Sequence, residues 1–302
     1  MNESRLIESS FEDSLVPNPV EYAVLLPKEY DDGSEFPLLF FLHGGKGDRT
    51  FLNRTRPRFD DLWEKGLLPP LVVVTPSVSQ RCFYMDYKDG TENWEQFVIG
   101  PFLEHLRQTY SVSNKRESTF ISGVSMGGMG TLRIGLKHPE LFAAMAALEP
   151  GIEPALAFKD IKLEDRFWRQ PELFEVAFGK PVDEAYWQAN NPANIVMTQA
   201  DNIRNSGIAI YLECGDEDAF GLHRGTEFLH RVLWDHNIKH EYHLVRGGEH
   251  VGKSVGPRIS EALQFITRVI NPPEQDPFAE KLRIFNEAWL KDVQSKATDQ
   301  QN

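Results

Sequence analysis

Gly123-Val124-Ser125-Met126-Gly127-Gly128 is the stretch on which the fold of this chain turns. A short apolar run, Thr119-Phe120-Ile121, leads into it, and a helix-like run from Thr131 to Lys137 follows. A Gly-x-Ser-x-Gly pentapeptide between a strand and a helix builds a sharp turn that lifts the serine hydroxyl clear of the sheet. The turn explains the glycines, because the positions two before and two after the serine have no room for bulky side chains. The backbone N–H of Met126, at the helix start, then faces a developing oxyanion, aided by the positive end of the helix dipole. Ser125 is the expected nucleophile, and its meaning depends on the partners the rest of the chain supplies.

On either side, short apolar segments alternate with amphipathic ones. Val20 to Leu26, Leu38 to Leu42, Leu71 to Val74, Ala143 to Leu148, Ile208 to Cys214 and His240 to Val245 read as strands. Trp94 to Tyr110, Glu227 to His236 and Ile259 to Val269 read as helices, the first with a stripe of Phe97, Ile99, Phe102, Leu103 and Leu106. Strands separated by helices imply an α/β fold with a mostly parallel sheet covered on both faces. Two stretches break the pattern. Gly151 to Asn205 is too long for an ordinary crossover and carries Phe158, Phe167, Trp168, Phe174, Phe178, Tyr186 and Trp187. It is expected to be an insertion roofing the site, or else an extra helical layer with its own core. After Asn271 a tail beginning Pro272-Pro273 reads as a helix, Phe278 to Val293, with Leu282, Phe285, Trp289 and Val293 on one face. That stripe is expected to dock on the parent domain, a homodimer contact being the second reading. The chain thus divides into a domain at 1–270 and a helical extension at 271–302.

Composition narrows the classes of function. The 302 residues suffice for a sizeable core. Forty-five acidic against 32 basic side chains give a net charge of −13, which argues against nucleic acid or an anionic membrane as main partner. The two cysteines, Cys82 and Cys214, are far apart and read as free thiols of a reducing compartment. Met1-Asn2-Glu3-Ser4-Arg5 does not open a secretory signal, and no apolar run approaches the roughly 20 residues of a transmembrane helix. A cytoplasmic location is expected. Cys-x-x-Cys and aspartate-rich calcium loops are missing, so neither metal nor cofactor is expected.

A serine hydroxyl is inert without a base, and the base needs an orienting carboxylate. Of nine histidines, His250 alone follows a late strand and two glycines, in Gly247-Gly248-Glu249-His250. The strand before it ends in Gly215-Asp216-Glu217-Asp218. Asp218, three residues beyond Gly215, is the preferred acid. Asp216 and Glu149, which follows the Ala143 to Leu148 strand, are its rivals. Without that role, Glu149 would hydrogen-bond substrate or a buried water. Phe41-Leu42-His43-Gly44-Gly45 ends an early buried strand, and its glycines let the backbone approach a substrate carbonyl. Gly45 is the expected second oxyanion donor beside Met126 and Gly44 the alternative, each such donor being worth about 2.7–4 kcal/mol. His43 reads as a brace for this loop.

With these residues in place, the chain resembles the esterase D/feruloyl-esterase family of α/β-hydrolases, from about Val20 to about Val269. Four spaced segments carry the likeness: Phe41 to Gly45, Ile121 to Gly128 with His138-Pro139-Glu140-Leu141-Phe142 after it, Cys214 to Asp218, and Gly247 to His250. The resemblance implies an α/β-hydrolase fold and a serine carboxylesterase mechanism with Ser125, Asp218 and His250 as triad. Two departures stand out. Met129 occupies a position where formylglutathione hydrolases have histidine, and Glu149-Pro150-Gly151 replaces a serine-glycine turn of many relatives.

The function expected is hydrolysis of a small-molecule or carbohydrate ester through an acyl-enzyme. Tyr84 and Tyr87 of the Arg81 to Tyr87 loop, Gly44, Glu149 and Trp187 are candidate substrate contacts. Acyl transfer to an alcohol on the same fold is one alternative, and a non-catalytic binding protein is another.

Overall fold

Eight strands form one sheet in the computed structural model of the chain, which describes residues 4–17, 19–165, 171–274 and 276–299. They are β1 (Arg5–Phe11), β2 (Val20–Leu26), β3 (Leu38–Leu42), β4 (Val72–Pro76), β5 (Thr119–Val124), β6 (Ala144–Leu148), β7 (Ala209–Gly215) and β8 (Glu241–Val245). Their spatial order is β1-β2-β4-β3-β5-β6-β7-β8. The β1–β2 and β2–β4 pairs are antiparallel, and every pair from β4 to β8 is parallel.

The strand sequences explain the layering. Side chains alternate across a strand, so a run buried along its whole length must serve two cores. In β3, Leu38, Phe40 and Leu42 join one core, while Leu39 and Phe41 join the other. The second core is closed by α1 (Thr50–Glu64), through Leu52, Phe59 and Leu62, and by a late helix described below. On the first face lie α2 (Trp94–Phe97), α3 (Leu103–Thr109) and α4 (Met126–Lys137). A π-helical turn, Val98–Phe102, separates α2 from α3, because Gly100 leaves helical geometry beside Pro101. The single helix expected over Trp94 to Tyr110 is therefore broken.

Residues 151–205 contribute α5 (Pro171–Phe178), α6 (Glu184–Asn190) and most of α7 (Pro192–Ser206), the last running into β7. Their aromatics pack on one another: Phe158 meets Phe174 and Trp187 edge-on at 5.0 and 6.0 Å. Phe167 and Trp168 lie outside the described residues. Asp165, from the same stretch, reaches α8 (His223–Asp235) through a 2.6 Å ion pair with Arg224. The helix α9 (Val255–Ile270) completes the second face with Ile259, Ala262, Leu263 and Ile266.

The chain divides into two units, Met1–Ile270 and Asn271–Asn302. The second holds α10 (Pro277–Asp299), on which Phe278, Leu282, Phe285, Trp289 and Val293 are exposed. No described helix is long and apolar enough to cross a membrane.

Candidate active site

Parallel pairing sets the carboxyl ends of β3, β5, β6, β7 and β8 along one edge, the edge where open α/β sheets build their sites. Five turns leave it, carrying His43-Gly44-Gly45, Ser125, Glu149, Asp218 and His250.

Ser125 sits between β5 and α4 at φ 60° and ψ −115°, a backbone state costing a non-glycine residue about 1–3 kcal/mol. Its N–H donates to the Leu148 carbonyl at 2.9 Å, which holds the turn against β6. A Cβ on Gly123 would lie 2.6 Å from the Gly127 carbonyl, and one on Gly127 would overlap the Leu42 carbonyl. The spacing read from the sequence has this steric cause. Being the first residue of α4, Met126 has an N–H without an intrahelical partner.

His250 Nε2 stands 3.1 Å from Ser125 Oγ, and His250 Nδ1 stands 2.7 Å from Asp218 Oδ2. Asp218 is buried, and its other oxygen accepts the Phe220 N–H at 2.7 Å. Asp216 is exposed and turned away: its Oδ1 accepts the Gly247 N–H at 2.6 Å. Asp218 and its rival Asp216 thus part company. Asp218 touches the imidazole, and Asp216 ties the acid turn to the histidine loop.

Glu149 is also beside His250, with Oε2 3.3 Å from Nδ1. It is 1% exposed and holds a positive φ of 47°. Its Oε1 accepts from Arg258 Nη2. Arg258 in turn binds Glu213 through two bonds, 2.7 Å from Nε and 2.6 Å from Nη2. Burial pushes the Glu149 carboxyl up to about 7, against the pull of His250 and Arg258. Burial alone would lower the Arg258 guanidinium, yet its bonds to Glu213 and the two nearby carboxylates hold it above its ordinary value. Glu149, Asp218 and His250 offer ligand atoms within 4.8 Å of one another, the only such set among the described residues. Both imidazole nitrogens already lie within hydrogen-bond reach of protein partners.

The loop after β3 is braced as expected. His43 Nδ1 donates to the Gly44 carbonyl at 2.8 Å, while Nε2 accepts the Val78 N–H at 3.3 Å. Those partners fix a neutral imidazole, and burial lowers its basicity further. Gly44 packs on the nucleophile, since a Cβ there would lie 4.0 Å from Ser125 Oγ. Gly45 is one residue further, over the Gln80 carbonyl.

Tyr84, Tyr87 and Trp187 need correction as pocket walls. All three are buried, and Tyr84 and Trp187 are at most 1% exposed. The Tyr84 hydroxyl donates to the His43 carbonyl at 3.2 Å, so it supports the loop after β3 from behind. Trp187 is spent on the core of the sheet's first face, edge-on to Phe158. Glu149 faces Arg258 and His250 and is buried away from any substrate. Three neighbours were missed in the sequence. Phe220 lays its ring edge-on to His250 at 4.6 Å and is 38% exposed, which makes it an accessible aromatic beside the imidazole. Glu213 and Arg258 escaped notice too, although a glutamate inside the apolar run Ile210-Tyr211-Leu212-Glu213-Cys214 signals a buried ion pair.

Comparison with known proteins supplies the family and the fold. The sequence profile described as Esterase matches residues 14–256. The chain belongs to the esterase family. This esterase is 28% identical over 192 residues to an acetyl esterase of Caldicellulosiruptor saccharolyticus, covering 62% of the chain and 68% of that protein. It is also 28% identical over 267 residues to esterase Rv1288 of Mycobacterium tuberculosis (strain ATCC 25618 / H37Rv), covering 82% of the chain. The chain spans just over half, 56%, of the length of that mycobacterial relative. A solved ferulic acid esterase superposes with a TM-score of 0.74 over 90% of the chain and 100% of its own, at 21% identity. That likeness establishes the α/β-hydrolase fold for the esterase.

Proposed function

We propose that the esterase hydrolyses a carboxylic ester through an acyl-enzyme formed on Ser125. One observation carries the reading: the unbroken series Ser125 Oγ, His250 Nε2, His250 Nδ1 and Asp218 Oδ2, with steps of 3.1 and 2.7 Å. His250 takes the Ser125 proton as Oγ attacks the ester carbonyl carbon. Asp218 holds the tautomer that leaves Nε2 free to accept it. Negative charge on the carbonyl oxygen is received by the N–H groups of Met126 and Gly45, with Gly44 packed against Ser125 so that the loop stays close. The tetrahedral intermediate collapses, and His250 returns the proton to the departing alkoxide. Water then repeats the sequence on the acyl-enzyme and releases the acid.

The substrate proposed is a small-molecule or carbohydrate ester, with an acetyl or an aromatic acyl group. Relatives named as acetyl and ferulic acid esterases support these two classes. Phe220, exposed at the edge of the His250 ring, supports an apolar or aromatic group at that side of the site. The test pairs a fluorophosphonate probe with a panel of acetyl, butyryl, feruloyl and formylglutathione substrates. Labelling of Ser125 with turnover of at least one ester is expected. A folded protein that neither labels nor hydrolyses any of them sinks the proposal. Product that appears only when an alcohol acceptor is added would assign acyl transfer instead.

A further inference from the structure

Two carboxylates, where the triad needs one, converge on the same nitrogen. Asp218 Oδ2 and Glu149 Oε2 lie 2.7 and 3.3 Å from His250 Nδ1. A buried carboxylate costs several kcal/mol unless it is paired. Glu149 is paired on one side only. Its Oε1 takes Arg258, whereas Oε2 has no hydrogen-bond partner and points at the imidazole. The backbone also bears a cost to place it there, because Glu149 adopts φ 47° directly after β6, its N–H tied to the Glu213 carbonyl at 2.8 Å. A surface glutamate has no need of this arrangement, and neither does a substrate ligand. The surrounding groups complete the picture. Glu213 and the buried Cys214 thiol come from β7, Asp218 from the turn after it, His250 from the loop after β8, and Arg258 from α9. Three carboxylates therefore share one guanidinium and one imidazole.

We propose that Glu149 is a second positioning carboxylate for His250, clamped by the Arg258–Glu213 pair, so that Asp218 and Glu149 together orient the imidazole and stabilise its protonated form. The inference rests on the esterase reading, since it assigns work to the base of that reaction. The imidazole gains a proton when Ser125 attacks, and an anion 3.3 Å from Nδ1 favours that state over the neutral one. Because burial leaves Glu149 with a proton up to about 7, its support is present in full only above that pH.

The test measures kcat and KM against pH for p-nitrophenyl acetate with wild type, Glu149→Gln, Asp218→Asn and the double variant. Glu149→Gln is expected to lower kcat several-fold with KM little changed, and to move the acid limb of kcat/KM down by about 1 pH unit. Asp218→Asn is expected to retain about 1% of kcat, and adding Glu149→Gln to it to remove at least about another tenfold. Should Glu149→Gln fold poorly, the downfield Nδ1 proton resonance of His250 in the intact Asp218→Asn protein is the second measurement. It should persist above pH 7, held by Glu149. An unmoved acid limb overturns the inference even if kcat falls, because damaged packing alone does that. So do equal activities of Asp218→Asn and the double variant, or loss of the resonance. A wild type that neither labels with fluorophosphonate nor hydrolyses ester overturns the esterase reading itself, and this inference with it.

Discussion

Asp216 Oδ1 accepts the Gly247 N–H at 2.6 Å, 31 residues along the chain, and so ties the turn that carries Asp218 to the loop that carries His250. The two functional groups sit on separate loops, and each loop alone could drift by more than a hydrogen bond tolerates. A carboxylate two residues from Asp218 therefore holds the two loops in register without touching His250.

The two aspartates should separate cleanly. Asp216→Ala is expected to cost about 0.5–1.5 kcal/mol of stability and only a modest part of kcat. Asp218→Asn should leave stability nearer wild type and lower kcat about 100-fold or more, because the imidazole loses its shorter partner. Urea unfolding and p-nitrophenyl acetate kinetics on both variants check this, and the reverse ranking in kcat would return the acid role to Asp216.

Ser125→Ala should abolish fluorophosphonate labelling and reduce hydrolysis by about 10⁴-fold or more. The fold should survive, since the Ser125 hydroxyl meets only His250 and alanine keeps the N–H bond to Leu148. Intact-mass detection of the probe adduct beside a thermal melt measures both. Wild-type turnover in Ser125→Ala would mean a different nucleophile.

Tyr84→Phe isolates the brace behind the oxyanion loop. The ring and its packing remain, and only the donor to the buried His43 carbonyl is removed. A buried acceptor left unsatisfied costs about 1–3 kcal/mol. If the loop shifts as a result, kcat falls while KM stays near its wild-type value, because the oxyanion exists only along the reaction path. A raised KM with unchanged kcat would instead restore Tyr84 as a substrate contact.

Glu149 should also imprint a pH dependence on stability. Its folded carboxyl titrates at about 7, above the unfolded value of 4.5. Below 4.5 both states hold the proton, and the group contributes no difference. As pH rises towards 7 the unfolded chain releases the proton while the folded one keeps it, so stability falls by up to about 3 kcal/mol and then levels off. Unfolding free energies at pH 5 and pH 8, compared between wild type and Glu149→Gln, cancel the other titrating groups. Wild type should lose more than the variant over this interval, and equal losses would show that burial is not taxing this carboxylate.

Much of the frame was legible because burial leaves a mark on composition. Val20 to Leu26 and Leu38 to Leu42 were bounded to the residue, since each is an apolar run ended by polar or turn residues. The edge strand β1 has no counterpart among the strands read from the sequence, because most of Arg5–Phe11 faces solvent and carries no apolar run. Helix α1, with Pro57 inside it and few apolar residues, left too weak a period to be seen. The break at Gly100-Pro101 was visible in letters but hidden by the apolar stripe running through it. In the site, Ser125, His250 and the His43-Gly44-Gly45 turn announced themselves through glycine spacing, which is a backbone requirement and therefore local.

The sequence by itself determined the strand-turn-helix at Ser125, the order of nucleophile, acid and base, and the resemblance to esterases. These rest on local sterics and on chain order, both of which a string of residues records. Tertiary structure alone decided which carboxylate meets which nitrogen. It turned Asp216 away from His250 and Asp218 towards it, buried Tyr84 and Trp187, and brought Glu149, Glu213 and Arg258 together from β6, β7 and α9. Side-chain direction at the end of a strand depends on the register of its neighbours and on one or two backbone angles, such as φ 47° at Glu149, that propensity does not encode.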